Sequence, residues 1–220
     1  MPKELGGVTA HIDCLVVAGF PGIGKTTTAK KLREVRIGAC CYDLDVRDFG
    51  TTNGIDVADP GEYVRRVVAC VEEGKEKARE NSCVFVTIDS VVRAGLREAG
   101  LFYLVIAPEF PPSMANQIPH YRPDPLLKSR YMKRFSDNPG YNSQCAQLLE
   151  GNGYEAALLE LFNDPMPHMI METLNAQSLD QCWMVVEQLT RQVMSPQMLA
   201  GMPGAPRNPG MIPPGAGYIR

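Results

Sequence analysis

Several things are scarce in this sequence, and each scarcity excludes something. No apolar run in its 220 residues approaches the roughly 18–20 needed to cross a bilayer, so no membrane contact is expected. The N-terminus has no charged-then-apolar segment ending at a small-residue cleavage site, and a cytoplasmic protein is expected. The seven cysteines are odd in number, include the adjacent Cys40 and Cys41, and never stand in C-x-x-C spacing. Buried thiols in a reducing compartment are expected, not a disulfide or zinc framework. An excess of positive charge is missing too. With 22 Lys and Arg against 25 Asp and Glu, the net charge of −3 argues against a globally basic nucleic-acid coat, although not against a local basic patch. The one tryptophan, Trp183, lies in a helical pattern and suits a core better than a stacking platform. No internal repeat of about 20–50 residues is visible.

What is present is an ordinary globular composition, 45% apolar and 21% charged. Proline is unevenly spread: six of the 18 fall in residues 196–220, with five glycines and no apolar period. That stretch cannot repay the entropy of ordering its backbone, so a disordered tail is expected after a single folded domain over 1–195.

Strand and helix patterns alternate along the domain. Apolar or β-branched runs at 11–18, 38–44, 83–88, 101–106 and 168–173 read as strands. Helical patterns cover 24–35, a segment opening at Asp59-Pro60-Gly61-Glu62, 91–100, 125–136, 140–150, 153–162 and 178–194. Continuous apolar strands separated by helices imply an α/β fold, with a five-stranded parallel sheet covered by helices on both faces. The long Pro-rich connection after Pro108, containing His120 and Tyr121, is expected to shape a pocket, and a helical lid is expected over about 110–136.

The segment Gly19-Phe20-Pro21-Gly22-Ile23-Gly24-Lys25-Thr26 fits G-x-x-x-x-G-K-[ST] at every fixed position, after an apolar strand and before a helix. Its glycines let backbone N–H groups turn inward around phosphate oxygens, and the helix N-terminus adds positive potential. Lys25 is placed to reach β- and γ-phosphates and Thr26 to ligate Mg²⁺, with Thr27 and Thr28 as further phosphate contacts. ATP and Mg²⁺ are the expected cofactors.

Two acidic positions follow strand patterns. Asp43 and Asp45 stand two apart, which puts both on one side of a strand. Asp89 follows an apolar run, as a Walker-B aspartate holding Mg²⁺ does, and it equally suits the N-cap of the next helix. Asp43 is a candidate for metal or acceptor, and Asp45 for orienting an attacking hydroxyl. Arg47 is a candidate for an acceptor phosphate, although a lone loop arginine is equally a solvated one.

The phosphate loop, the D-x-D after the second strand and a basic segment after the fourth together resemble the adenylate-kinase-like P-loop kinases, over about residues 8–195. That group includes nucleoside monophosphate, shikimate, gluconate and polynucleotide kinases. The resemblance implies Mg²⁺ and acceptor-hydroxyl binding by Asp43 and Asp45, and base binding near Asn175-Ala176-Gln177-Ser178. The stretch 83–134 is also similar to small bacteriophage kinases, some acting on deoxynucleotides or on hydroxymethylated pyrimidines in DNA. A phage-encoded protein would work in the host cytoplasm.

Residues 122–134 hold five basic residues against one acid. Arg130 and Arg134, four apart, share one face of a helix and are candidate lid arginines over the γ-phosphate. Arg93 and Arg97, also four apart, follow the third strand pattern, and Arg93 is a candidate acceptor contact. The expected function is transfer of the γ-phosphoryl of ATP to a hydroxyl or phosphate of a nucleotide-like acceptor, free or within DNA. The alternative is a nucleotide-dependent switch or assembly ATPase using its tail as a partner tether.

Overall fold

The computed structural model describes residues 3–5, 8–10, 13–35, 40–44, 59–77, 82–115, 117–136, 150–193 and 218–219. Two short strands, β1 (Lys3–Leu5) and β2 (Val8–Ala10), form an antiparallel pair that the sequence patterns did not suggest. The chain then alternates: β3 (Cys14–Gly19), α1 (Lys25–Val35), β4 (Cys41–Asp43), α2 (Pro60–Lys77), β5 (Ser82–Val86), α3 (Ser90–Glu98) and β6 (Leu104–Ala107). It continues through α4 (Pro112–Ala115), α5 (Leu127–Ser136), α6 (Gly153–Phe162), β7 (His168–Ile170), α7 (Ala176–Val193) and a two-residue β8 (Tyr218–Ile219).

The expected five parallel strands are present in the order β4-β5-β3-β6-β7, and β8 adds to the β7 edge. Every residue of β3 and β5 is buried, as continuous apolar runs require when helices cover both faces. Connection handedness explains that cover. The chain leaves β3 for β4 in one direction and returns through β5 to β6 in the other. Right-handed crossovers therefore put α1 on one face and α2 and α3 on the opposite one. The packing agrees, since α1 contacts α7 while α2 contacts α3.

Local signals act where expected. Asp59 Oδ1 accepts from Gly61 N at 2.9 Å and Glu62 N at 3.2 Å, so Asp59 caps α2 with Pro60 as its first residue. Trp183 is buried on α7, in the core. The connection after β6 has a small core of its own: Phe110, Ala115 and Tyr121 pack together, with the Phe110 and Tyr121 rings edge-on at 4.9 Å. The expected helix at 140–150 lies outside the described residues except for Glu150. Of the tail, only Tyr218 and Ile219 are described, and at that point it is a strand paired with His168 and Met169. The six described cysteines are free thiols, five buried and Cys40 half-buried. Among the described residues, no helix is long and apolar enough to cross a membrane.

Candidate functional site

The strand order reverses at β3, and ligands of doubly wound sheets sit at the carboxyl ends of strands beside that reversal. The loop 19–26 occupies this place. Phe20 N donates to Ile106 O of β6 at 3.0 Å, and Ile23 N closes a turn onto Phe20 O at 3.3 Å. Gly22 and Gly24 have φ of 75° and 110°, conformations that side chains with a Cβ adopt only under strain. At Gly24 a Cβ would also lie 2.7 Å from Leu174 O. The fold is a P-loop α/β fold.

Lys25 is buried, and its Nζ donates to Gly19 O at 2.7 Å and Phe20 O at 3.3 Å. Its aliphatic stem lies across Gly19, where a Cβ would meet Lys25 Cδ at 3.2 Å. Pro21, Gly22 and Thr26 are half-buried, Ile23 is in the core, and Thr27 is exposed. Thr28 differs from expectation: it is buried, and its hydroxyl donates to Leu174 O at 3.0 Å, so it braces the loop from behind. Leu174 N also donates to Ile23 O at 2.7 Å. The β7–α7 connection is thus bolted onto the phosphate loop.

Asn175 and Ser178 cap α7 reciprocally. Ser178 N donates to Asn175 Oδ1 at 3.0 Å, and Asn175 N to Ser178 Oγ at 2.7 Å.

Both candidate lid arginines lie on α5. The helix lays Arg134 beside the loop, with Nη1 3.4 Å from Gly22 O, Nη2 3.4 Å from Thr173 Oγ1, and the guanidinium 4.8 Å from the Tyr131 ring centroid. Arg130 Nη2 donates to Asp124 Oδ2 at 2.6 Å, and its Nε donates to Glu172 Oε1 at 3.2 Å. Glu172 also lies 3.9 Å from Arg134, so one carboxylate joins both arginines. The Leu126 N–H and the Arg130 guanidinium hold the Asp124 carboxyl below its usual range.

Below the arginines is an aromatic wall. The Phe20 ring meets Tyr131 at 5.6 Å and Tyr154 at 5.4 Å, both edge-on. Tyr154 donates to Glu109 Oε1 at 3.0 Å, while Glu109 Oε2 is buried with no hydrogen-bond partner. Burial pushes the Glu109 carboxyl up, against the opposing pull of the Tyr154 bond. Neither Glu109 nor Glu172 was singled out in the sequence, yet each is the first acid after a strand, at the end of the sheet where the phosphate loop lies.

Asp43 is the last residue of β4 and is buried. Asp89 stands three residues beyond β5, exposed, and caps α3 by accepting from Val91 N at 2.8 Å. Asp45 and Arg47 lie outside the described residues. Arg93 requires a correction. It does not face an acceptor, because its side chain is 2% exposed and its Nε donates to Asp164 Oδ2 at 2.7 Å. Arg97 and Tyr103 converge on the same carboxylate, and Arg93 Nη2 donates to Glu160 O at 3.1 Å. The group ties α3 to the end of α6, and its role is structural.

Among the described residues, no set of three His, Cys, Asp or Glu forms a metal cage. Thr26, Asp43 and Asp89 offer hydroxyl and carboxylate oxygens, the donor types Mg²⁺ takes alongside substrate phosphates.

No family model matches the sequence, and no curated relative aligns with it. The structure is similar to the tunicamycin resistance protein of Deinococcus radiodurans, at TM-score 0.45 and 17% identity, covering 88% of this chain and 98% of that one. A gluconokinase from Sinorhizobium meliloti 1021 gives 0.43 and 16%, covering 86% and 97%. Shikimate kinase from Acinetobacter baumannii, in complex with shikimate, gives 0.37 and 15%, covering 87% and 96%. Scores and identities at this level carry no activity or substrate across.

Proposed function

We propose that the protein is an ATP-dependent kinase that transfers the γ-phosphoryl group to a hydroxyl of a nucleotide-like acceptor. The observation that carries this reading is Arg134, a lid arginine standing 3.4 Å from the phosphate-loop carbonyl of Gly22. Phosphoryl transfer is catalysed by positioning and by neutralising charge on the equatorial oxygens, and cations on both sides of the γ-phosphate do this. Lys25 supplies one side, and Arg134 with Arg130 the other. The backbone N–H groups of 22–26 hold the phosphates, and the lid and the aromatic wall exclude water that would hydrolyse the triphosphate.

Thr26, Asp89 and Asp43 would hold Mg²⁺, which would supply charge neutralisation on the phosphates. Asp45, two residues after the buried Asp43, orients the acceptor hydroxyl and accepts its proton. A D-x-D favours a hydroxyl acceptor, since a phosphate acceptor is already ionised. A hydroxyl acceptor, free or within DNA, is therefore preferred over the phosphate of a nucleoside monophosphate, and the net charge of −3 leans towards a small one.

The test is to incubate the protein with γ-labelled ATP and Mg²⁺ against nucleosides, nucleotides, polyols and DNA with or without hydroxymethylated bases. Label in a hydroxyl acceptor supports the reading, and Asp45→Asn should then cut transfer far more than ATP binding. ATP turnover that labels no acceptor and rises with a protein partner would replace it with the assembly-ATPase reading.

A further inference from the structure

The lid arginines are held by carboxylates, Arg134 stands beside the loop, and one of those carboxylates touches both. Glu172 Oε1 is 3.1 Å from Arg130 Nη2 and 3.9 Å from Arg134 Nη2. A γ-phosphate seated in the loop would claim the same guanidinium N–H groups, with more charge and with oxygens matched to the guanidinium fork. Two anions cannot share these donors fully.

The surroundings let the carboxylate yield without disturbing the lid. The Glu172 side chain is 46% exposed, and those of Arg130 and Arg134 are 41% and 38% exposed, so water takes up whatever is released. The Glu172 backbone is fixed separately, because its carbonyl accepts from Tyr131 OH at 2.5 Å. Two residues on, Leu174 is bonded to Ile23 of the phosphate loop. The side chain swings while the connection and α5 stay joined.

We propose that Glu172 is a positioning residue that competes with the terminal phosphate: it holds Arg130 and Arg134 over the loop and yields them when a triphosphate enters. The proposal rests on the reading of the loop as a nucleoside-triphosphate site. Glu172 therefore sets triphosphate affinity below what Lys25 and the arginines alone would give. Asp124 lacks this role, since among the described residues it pairs with Arg130 and not with Arg134.

Titration calorimetry with inorganic tripolyphosphate, and with ATP and Mg²⁺, tests the idea on the full chain. Pairs this exposed are individually weak, so Glu172→Gln should tighten tripolyphosphate binding by roughly three- to tenfold, with the thermal midpoint unchanged. The gain should vanish in the Arg134→Gln background. Glu172→Asp, one methylene shorter and unable to span both arginines, should give part of the gain and serves if the Gln variant folds poorly. Glu98→Gln, at the far end of α3, controls for net charge and should change nothing. Unchanged or weaker binding in both Glu172 variants, or an equal gain from Glu98→Gln, overturns the proposal while leaving the kinase reading intact. If the wild-type protein binds neither tripolyphosphate nor ATP, the kinase reading falls and this proposal with it.

Discussion

Replacing Asp164 by asparagine gives the sharpest test of how the molecule is held together and of the corrected role of Arg93. The Asp164 side chain is 1% exposed and that of Arg93 2%, and they meet at 2.7 Å. The amide of the Asp164→Asn variant would keep an acceptor for Met166 N, which now donates to Oδ1 at 3.0 Å, and for Tyr103. It would take the nearer counter-charge from the buried guanidinium, leaving only Glu160 Oε1 at 3.8 Å, and Arg93 Nη1 already has no hydrogen-bond partner. Breaking a buried ion pair from one side costs about 3–5 kcal/mol, and because the isostere keeps the hydrogen-bond shape, ~3 kcal/mol is expected. That is a large share of the roughly 5–15 kcal/mol stability of a domain and should lower the thermal midpoint by about 6–12 °C. In the double variant Arg93→Met/Asp164→Asn the unpaired charge is gone, and more than half of the loss should return. Equilibrium urea unfolding reads both, with an unchanged denaturant slope. A loss below ~1 kcal/mol, or a double variant no better than the single, would refute the reasoning. Loss of acceptor saturation in the well-folded double variant would restore Arg93 to the acceptor site.

Four further outcomes are expected. Lys25→Ala should fold and bind ATP weakly, while transfer falls by about 10²–10³-fold through loss of one preorganised donor, measured by steady-state kinetics. Gly24→Ala forces a Cβ to within 2.7 Å of Leu174 O at a positive φ, so about 1–3 kcal/mol of stability and ATP binding should be lost together. Burial holds the His168 imidazole below its ordinary value, so the unfolded chain takes up its proton first. Stability from this group is intact above about pH 6.5 and falls as the pH drops through that value, and His168→Asn should flatten that slope. Glu109 acts in the opposite sense: burial raises its carboxyl, Asp124 adds to the rise, and the Tyr154 hydrogen bond and Arg130 oppose it. Its contribution declines as the pH rises past about 4.3, and Glu109→Gln should gain stability at pH 7 relative to pH 4.

Much of this was legible in the sequence because the signals were local. The apolar runs of β3, β5 and β6 can only be central strands of a covered sheet, and the glycines of 19–24 need only their own backbone geometry to mark the tight turn between β3 and α1. Asp59-Pro60 announced the start of α2 for the same reason. Partner choice was not legible. Arg93 and Arg134 look alike in sequence, each paired with an arginine four residues away. Arg93 is buried against Asp164, 71 positions later, and Arg134 reaches Gly22, 112 positions earlier. Only the fold decides which arginine is buried in an ion pair and which stands beside the loop 19–26. Glu172 and Glu109 were missed because the chemistry of a lone acid depends on what packs over it. The β1–β2 pair was missed because three-residue strands are too short to show a period.

If Arg134 makes the loop 19–26 a phosphoryl-transfer site, single-turnover transfer by Arg134→Gln tests it most directly. With a hydroxyl acceptor that the wild-type protein labels, transfer should slow by about 10³-fold or more while ATP affinity changes less than about tenfold. Transfer at the wild-type rate, or ATP binding lost as completely as transfer, would contradict it.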